Sequence, residues 1–258
     1  MKILVCIKQV PPMEELLELD QKSKWLSDDD LEYRINRFDE FAIEEALLIK
    51  EATEGTTVDI ISVGSESVDT ALRRALGMGA ERAIHIEIDK KSFISPLYIA
   101  ERIGNYAKEK SYDLILTGIM SEDAMQSMVG PSLASILNIP CAAAVVETEI
   151  SDIPNSIVVK CELEGGRHQE VQLKLPALLT VQSGINKPRY PSLSNVLRAN
   201  KQDILKIEEG PDVSSADKEI LSLSLPEKSK NIRFLEGTVE EKAAELIKIF
   251  KKKGILKG

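Results

Sequence analysis

Hydrophobic positions follow two alternating patterns along the first 146 residues. Short β-branched runs that are apolar almost throughout are typical of strands buried on both faces of a sheet. Between them, apolar residues recur every three or four positions, which indicates amphipathic helices. The pattern predicts strands at 2–7, 57–63, 82–86, 113–117 and 141–146 and helices at 38–53, 65–76, 96–110 and 130–137. We therefore expect a Rossmann-like α/β fold with a doubly wound, mainly parallel sheet.

The second part of the chain predicts a hairpin followed by an arm. Two alternating strands, at 156–162 and 169–175, flank a turn that contains Gly165 and Gly166, and 176–181 reads as another strand. Beyond 183, proline, serine, asparagine and charge predominate, which favours an extended arm over core.

A last helix is predicted at 239–253, where Thr238 and Glu241 have the spacing of a capping box. We therefore divide the chain into an α/β domain at 1–182, an arm and linker at 183–237, and a C-terminal helix at 238–258.

Composition excludes several classes of protein. A net charge of −9 and an aromatic content of 4% supply neither the positive field nor the stacking platforms of generic nucleic-acid binding. Cys6, Cys141 and Cys161 are too far apart for a disulfide framework or a metal cluster, which fits a reducing compartment. With no apolar run of membrane-spanning length and no leader-like start, the sequence predicts a cytoplasmic protein that does not insert into membranes.

The expected ligand site lies where the strand order of the sheet reverses. In open α/β sheets that position brings together the turns after the first strand and after the strand at 113–117. The second turn contains Gly118 and Asp123 and leads through 126–130 into a helix. A helix start offers N–H donors and a positive dipole end, so these residues fit either a phosphate site or ordinary helix capping.

Known catalytic motifs do not occur in the sequence. The first strand is not followed by a glycine-rich dinucleotide fingerprint, and neither a phosphate-binding loop with lysine nor a nucleophile elbow is present. His85 falls within a strand and His168 within the hairpin turn, away from the predicted cleft. We interpret His85 as a partly buried structural residue and His168 as a surface residue, and predict neither catalytic side chains nor a metal site.

Six short motifs stand in order along the chain. They are KILVCIKQVP at 2–11, NRFDEFAIEEA at 36–46 and ALGMGAE at 75–81, then EGGRHQEV at 164–171 with PALLT at 176–180, and NKPRYPSL at 186–193. Together they resemble the β subunit of electron-transfer flavoproteins, and the resemblance covers nearly the whole chain.

The resemblance implies a subunit that pairs with an α subunit and binds an adenine nucleotide, which is AMP in ordinary members and a second FAD in bifurcating ones. The shuttling FAD would be held by, or shared with, the α subunit. Positions that match the family's nucleotide site are Cys6, Lys8, Asn36, Val63, Gly64, Gly118, Asp123, Gln126, Ser127, Met128, Val129 and Gly130. Asn36 fits a helix cap equally well, and Lys8 fits a solvated charge.

Two further positions are assigned by the resemblance. Leu193 matches a leucine that docks on partner flavin dehydrogenases, although it could also pack under its own loop. Glu162 matches an acidic residue that acts as a latch for the mobile flavin domain, although an exposed strand carboxylate is usually only solvated.

The chain departs from both classes of the family, so the nucleotide stays undecided. Ser127-Met128-Val129 replaces a polar run of ordinary members, and Ala124-Met125-Gln126 lacks a run typical of bifurcating ones. The implied mechanism is electron relay, in which the flavin carries the chemistry. The alternative is a stand-alone adenine-nucleotide-binding α/β protein, similar to stress proteins, without a redox role.

Overall fold

A computed structural model describes residues 1–12, 19–20, 25–26, 31–88, 94–150, 153–208, 222–224, 232 and 234–256. The chain divides into two units, Met1–Leu223 and Ser224–Gly258. The first unit contains a nine-stranded sheet whose strands are β1 Lys2–Cys6, β2 Thr57–Gly64, β3 Arg82–Glu87, β4 Leu114–Gly118, β5 Cys141–Ile150, β6 Ser156–Leu163, β7 Arg167–Lys174, β8 Ala177–Val181 and β9 Ile204–Glu208.

Five helices belong to the same unit: α1 Arg37–Ala52, α2 Asp69–Met78, α3 Pro96–Ala107, α4 Val129–Leu137 and α5 Leu193–Ala199. Short 3₁₀ turns at Glu66–Val68 and Glu164–Gly166 precede α2 and β7. Outside the main sheet, Gln9–Val10 pairs with Arg34–Ile35, and Leu19–Asp20 pairs with Trp25–Leu26. The second unit contains α6, Val239–Lys252, which opens with the predicted Thr238–Glu241 capping box.

The strand order of the sheet is β7-β6-β5-β8-β4-β1-β2-β3-β9. Neighbouring strands are parallel except for the β6–β7 pair, which is the predicted hairpin, and the β5–β6 pair beside it. Strand β1 lies between β2 and β4, so the order reverses at its edge and the carboxyl ends of β1 and β4 meet. The doubly wound α/β fold is therefore confirmed, together with its switch point.

Successive residues of the central strands enter two separate cores. Ile3 and Val5 of β1 pack with α1 and α2 residues such as Leu47 and Leu72 on one face of the sheet. Leu4, between them, packs with α3 and α4 on the other face. This alternation is the two-residue period of a pleated strand, and it explains why β1 is apolar throughout.

The region after 183 is less extended than its composition predicted. Residues 193–199 form α5, which begins at Ser192 with a side-chain cap, and residues 204–208 form β9, which pairs with β3 at the edge of the sheet. Arg73 of α2 donates to three carbonyls between Ala199 and Gln202. Contacts with distant residues therefore order a segment whose local composition favours a coil.

Candidate functional site

A cavity of about 560 Å³ opens at the carboxyl ends of β1, β2 and β4. The fold places it where the strand order reverses, as the topology predicts for a ligand site in an open α/β sheet. All twelve residues that the sequence assigned to the site line this cavity: Cys6, Lys8, Asn36, Val63, Gly64, Gly118, Asp123, Gln126, Ser127, Met128, Val129 and Gly130.

Helix α4 begins at the cavity without a side-chain cap. Met128 occupies the N-cap position and accepts no capping hydrogen bond, while Ser127 has a positive φ of 52°. The first N–H groups of a helix have no acceptor within the helix, and the dipole makes this end positive. The helix start therefore offers donors suited to an anion, and the capping interpretation does not apply at Met128.

Gly130 allows α4 to lie close to the ends of the strands. A Cβ at this position would lie 2.6 Å from Thr180 Cγ2 and 2.8 Å from Thr117 Oγ1. Gly130 is thus needed for helix–sheet packing as well as lining the cavity. A bulky substitution there would disturb the fold, so the site is better tested through Met128.

Lys8 is held by an ion pair within the cavity lining. Its Nζ lies 2.6 and 2.8 Å from the two carboxylate oxygens of Asp123 and 3.4 Å from Ser121 Oγ. Lys8 is therefore not merely a solvated charge. An anionic ligand that used Lys8 would compete with Asp123 for the ammonium.

Asn36 fastens the β4–α4 loop to the start of α1. It occupies the N-cap position of α1 but makes no capping hydrogen bond, so the capping alternative does not apply. Its Nδ2 donates to Met120 O at 2.9 Å, and its Oδ1 accepts from Glu122 N at 3.0 Å. The Glu122 carboxylate in turn accepts from Arg37 N, which lies in the first turn of α1. The amide thus holds the loop, because both of its polar atoms are engaged there.

Asp39 is a buried carboxylate that joins the two strand ends at the switch point. It is 5% exposed and accepts from Lys8 N at 2.7 Å and from Gly118 N at 3.0 Å. Burial raises its pKa to about 7, against the lowering effect of these hydrogen bonds, Asn36 and the Lys8 charge. The sequence analysis did not assign Asp39 to the site, because an acidic residue in the first turn of a helix usually only complements the dipole.

The raised pKa of Asp39 should make the free energy of unfolding depend on pH. Since its pKa is raised in the folded protein, folding binds a proton, and the contribution of this group is lost as pH rises from about 4 to about 7. We expect the free energy of unfolding of the wild type to fall across this interval relative to that of Asp39→Asn. Urea unfolding of both proteins at half-unit pH steps measures this difference. A difference that stays constant with pH would contradict the assignment.

His85 does not line the cavity but contacts Gly64, which does. The ring is fully buried, with Nε2 2.9 Å from Gly64 O and Nδ1 2.8 Å from Asp69 Oδ1. It is thus more buried than predicted, whereas His168 is exposed as expected. Both positions agree with the structural interpretation.

Comparison with known proteins identifies the family. The model of the electron transfer flavoprotein domain matches residues 24–212. The beta subunit of electron transfer flavoprotein from Methylophilus methylotrophus is 35% identical, with 96% of this chain and 97% of the relative covered. The Bacillus subtilis beta subunit is 32% identical, with 97% and 98% covered. The chain belongs to the electron transfer flavoprotein beta-subunit family. A mitochondrial relative from Arabidopsis thaliana is 34% identical, with 90% and 92% covered.

Membership of the electron transfer flavoprotein family establishes a role in flavin-associated electron transport. The family's sequence features run through the cavity, since the match covers α1, β2 and the β4–α4 loop. Within the described ranges, no helix has the length and apolar character that crossing a bilayer requires.

The two other residues assigned from the electron transfer flavoprotein resemblance lie outside the cavity lining. Leu193 is the first residue of α5 and is 77% exposed, so it does not pack under its own loop. Glu162 is an exposed residue of β6 that accepts a hydrogen bond from Gln182 Nε2 at 3.1 Å. In the isolated chain, both side chains are exposed and another protein could contact them.

Proposed function

We propose that this chain is the nucleotide-carrying β subunit of a heterodimeric electron-transfer flavoprotein. The cavity at the switch point would hold an adenine nucleotide, either AMP or a second FAD. The shuttling FAD would be held by, or shared with, the α subunit. The observation that carries the proposal is the uncapped start of α4 at a cavity large enough for such a ligand.

The cavity lining suits the two chemical halves of a nucleotide. The helix start at 126–130 and the Lys8 ammonium would neutralise phosphate charge. The lining also contains the apolar side chains of Val63, Ile99 and Ile103, which would pack against the face of a planar base. Backbone donors would thus replace the polar side chains that ordinary family members place at 127–129.

The residues of the site would orient the nucleotide and exclude water, without taking part in bond making. Flavin supplies the redox chemistry when bound, so the chain needs no nucleophile or general base. With AMP in the cavity the heterodimer would be an ordinary shuttle. With a second FAD, the same cavity would serve flavin-based electron bifurcation.

Partners are proposed for the remaining surfaces. Helix α6 carries exposed apolar residues, with Val239 79% and Leu246 40% exposed, which suits packing on an α subunit. Leu193 would dock on partner flavin dehydrogenases, and Glu162 would act as a latch for the mobile flavin domain. We place the assembly in the cytoplasm.

Co-expression with the flavin-binding α subunit of an electron-transfer flavoprotein from the same organism tests the proposal. We expect a stable one-to-one heterodimer with flavin absorbance, formed through surfaces that include α6. A stable homodimer that binds ATP and copurifies with no flavoprotein would instead support the stress-protein-like alternative.

A further inference from the structure

An arginine at the start of the arm is clamped between two carboxylates of α1. Arg189 Nε lies 2.9 and 3.1 Å from the two oxygens of Glu44, and its backbone N donates to Glu44 at 3.0 Å. On its other edge, Nη1 lies 2.6 Å from Glu51 Oε1. Glu44 is only 5% exposed, so this is a charge-assisted contact with a largely buried partner.

The clamp depends on the planar shape of the guanidinium. Glu44 and Glu51 are seven residues apart on α1 and so lie on one face of the helix. A guanidinium presents donors along two edges and can meet both carboxylates, whereas a lysine offers a single point charge. The contacts raise the pKa of Arg189 and lower the pKa of Glu51. The backbone at 189 is thereby fixed against α1.

A second arginine fixes the other end of the same segment. Arg73 Nη1 lies 2.9 Å from Ala199 O, 3.1 Å from Asn200 O and 3.3 Å from Gln202 O. These carbonyls belong to the end of α5 and the turn that follows it, where a positive charge also complements the helix dipole. The segment 190–199 is therefore anchored to α1 at its start and to α2 at its end.

Between these anchors, the segment buries few of its large apolar side chains. Tyr190 is 85% exposed, Leu193 77% and Leu197 57%. A seven-residue helix is too short to be stable by itself in water. The order of the segment therefore comes from its contacts with the rest of the unit. Besides the two arginine anchors these are the capping Ser192, the packing of Pro191 against Gly77, and Arg198, which donates to Leu76 O at 3.5 Å.

We propose that Arg189 and Arg73 are positioning residues for docking, which hold residues 190–199 so that Leu193 is presented in a fixed geometry to the partner dehydrogenase. The inference rests on the proposed docking function of Leu193. A binding segment that is ordered before the encounter loses less conformational entropy on association. The two arginines would thus increase affinity for the partner without contacting it.

Arg189→Ala and Arg73→Ala in the purified heterodimer test this role. The assay uses each flavin dehydrogenase of the source organism that reduces the wild-type heterodimer. We expect the KM for the heterodimer to rise roughly tenfold, the effect of ordering about one more residue on docking. The kcat and flavin content should stay unchanged. Amide hydrogen exchange of peptides covering 190–203 should accelerate. Arg189→Lys should restore little, because lysine cannot form the two-edged contact.

Arg74→Ala is the matched control, since Arg74 also pairs with an α1 carboxylate, Glu40 at 2.9 Å, but makes no hydrogen bond to residues 190–203, all of which the structure describes. Arg189→Ala could destabilise the protein by leaving the buried Glu44 carboxylate unpaired. Arg73→Ala still decides the question, because it removes the donor only from uncharged backbone carbonyls. The proposal would be overturned if Arg189→Ala and Arg73→Ala both had the same KM, and the same amide hydrogen exchange in residues 190–203, as Arg74→Ala.

A double variant separates positioning from docking. If Arg189 acts through Leu193, then adding Arg189→Ala to Leu193→Ala should not raise KM further. A full additional rise would contradict positioning. A normal KM in Leu193→Ala alone would contradict the docking function of Leu193. Amide hydrogen exchange of residues 190–203 in Arg73→Ala would still show whether the two arginines order the segment.

Discussion

Replacing Met128 with Asp is expected to weaken binding of the proposed nucleotide strongly while leaving the fold intact. Met128 is 39% exposed and stands at the uncapped start of α4, so the smaller side chain leaves no buried void. A carboxylate roughly 5 Å from a phosphate, at an effective dielectric constant of about 20, costs about 3 kcal/mol, or on the order of a hundredfold in Kd. The same charge should stabilise the helix start by about 0.3–1 kcal/mol.

Opposite changes in ligand affinity and stability make this variant informative. Nucleotide released on denaturation measures occupancy, and thermal unfolding of the nucleotide-free protein measures stability. Met128→Asn is the matched control, because it has the same size as Asp without the charge, and it should keep most of the nucleotide. Full occupancy in Met128→Asp would remove the α4 start from the phosphate site.

Truncating Leu193 is expected to impair docking without affecting the folded chain. An anchor of this size contributes about 2 kcal/mol when buried at an interface, so Leu193→Ala should raise the KM for the partner dehydrogenase roughly thirtyfold. Because the side chain is 77% exposed in this chain, flavin content and melting temperature should remain those of the wild type.

Leu205→Ala provides the control for a lost leucine on the same unit. Leu205 is 55% exposed on edge strand β9, outside the segment 190–199, and its truncation should leave both KM and melting temperature near their wild-type values. A core role for Leu193 would instead lower the stability of Leu193→Ala by about 2–5 kcal/mol. Such a loss with an unchanged KM would end the docking hypothesis.

The sheet could be predicted from the sequence because its central strands are continuous apolar runs. β1, β2 and β4 are buried on both faces, so their apolar runs and the helices between them indicate parallel strands directly. β9 was missed because only two of its five residues are even partly buried and its pairing with β3 spans over a hundred positions. Local pattern does not encode such an edge.

The position of the site was predictable, but its internal contacts were not. Strand order indicates the switch point and the turns that meet there, and the twelve residues that the family resemblance assigned all line one cavity at that point. Asn36 and Asp39 act through partners 79 to 86 positions away, at Gly118, Met120 and Glu122. Such pairings arise only when β1, α1 and β4 are assembled. The sequence around Asn36 therefore left a local cap and a ligand contact equally open.

The most direct test of the account is to identify the nucleotides of the copurified heterodimer by mass after denaturation. We expect FAD together with one further adenine nucleotide for each heterodimer. One FAD with one AMP indicates an ordinary shuttle, and two FAD without AMP indicate the bifurcating type. A heterodimer that releases one FAD and no second nucleotide, even when purified with AMP and FAD present, would contradict the assignment of the cavity.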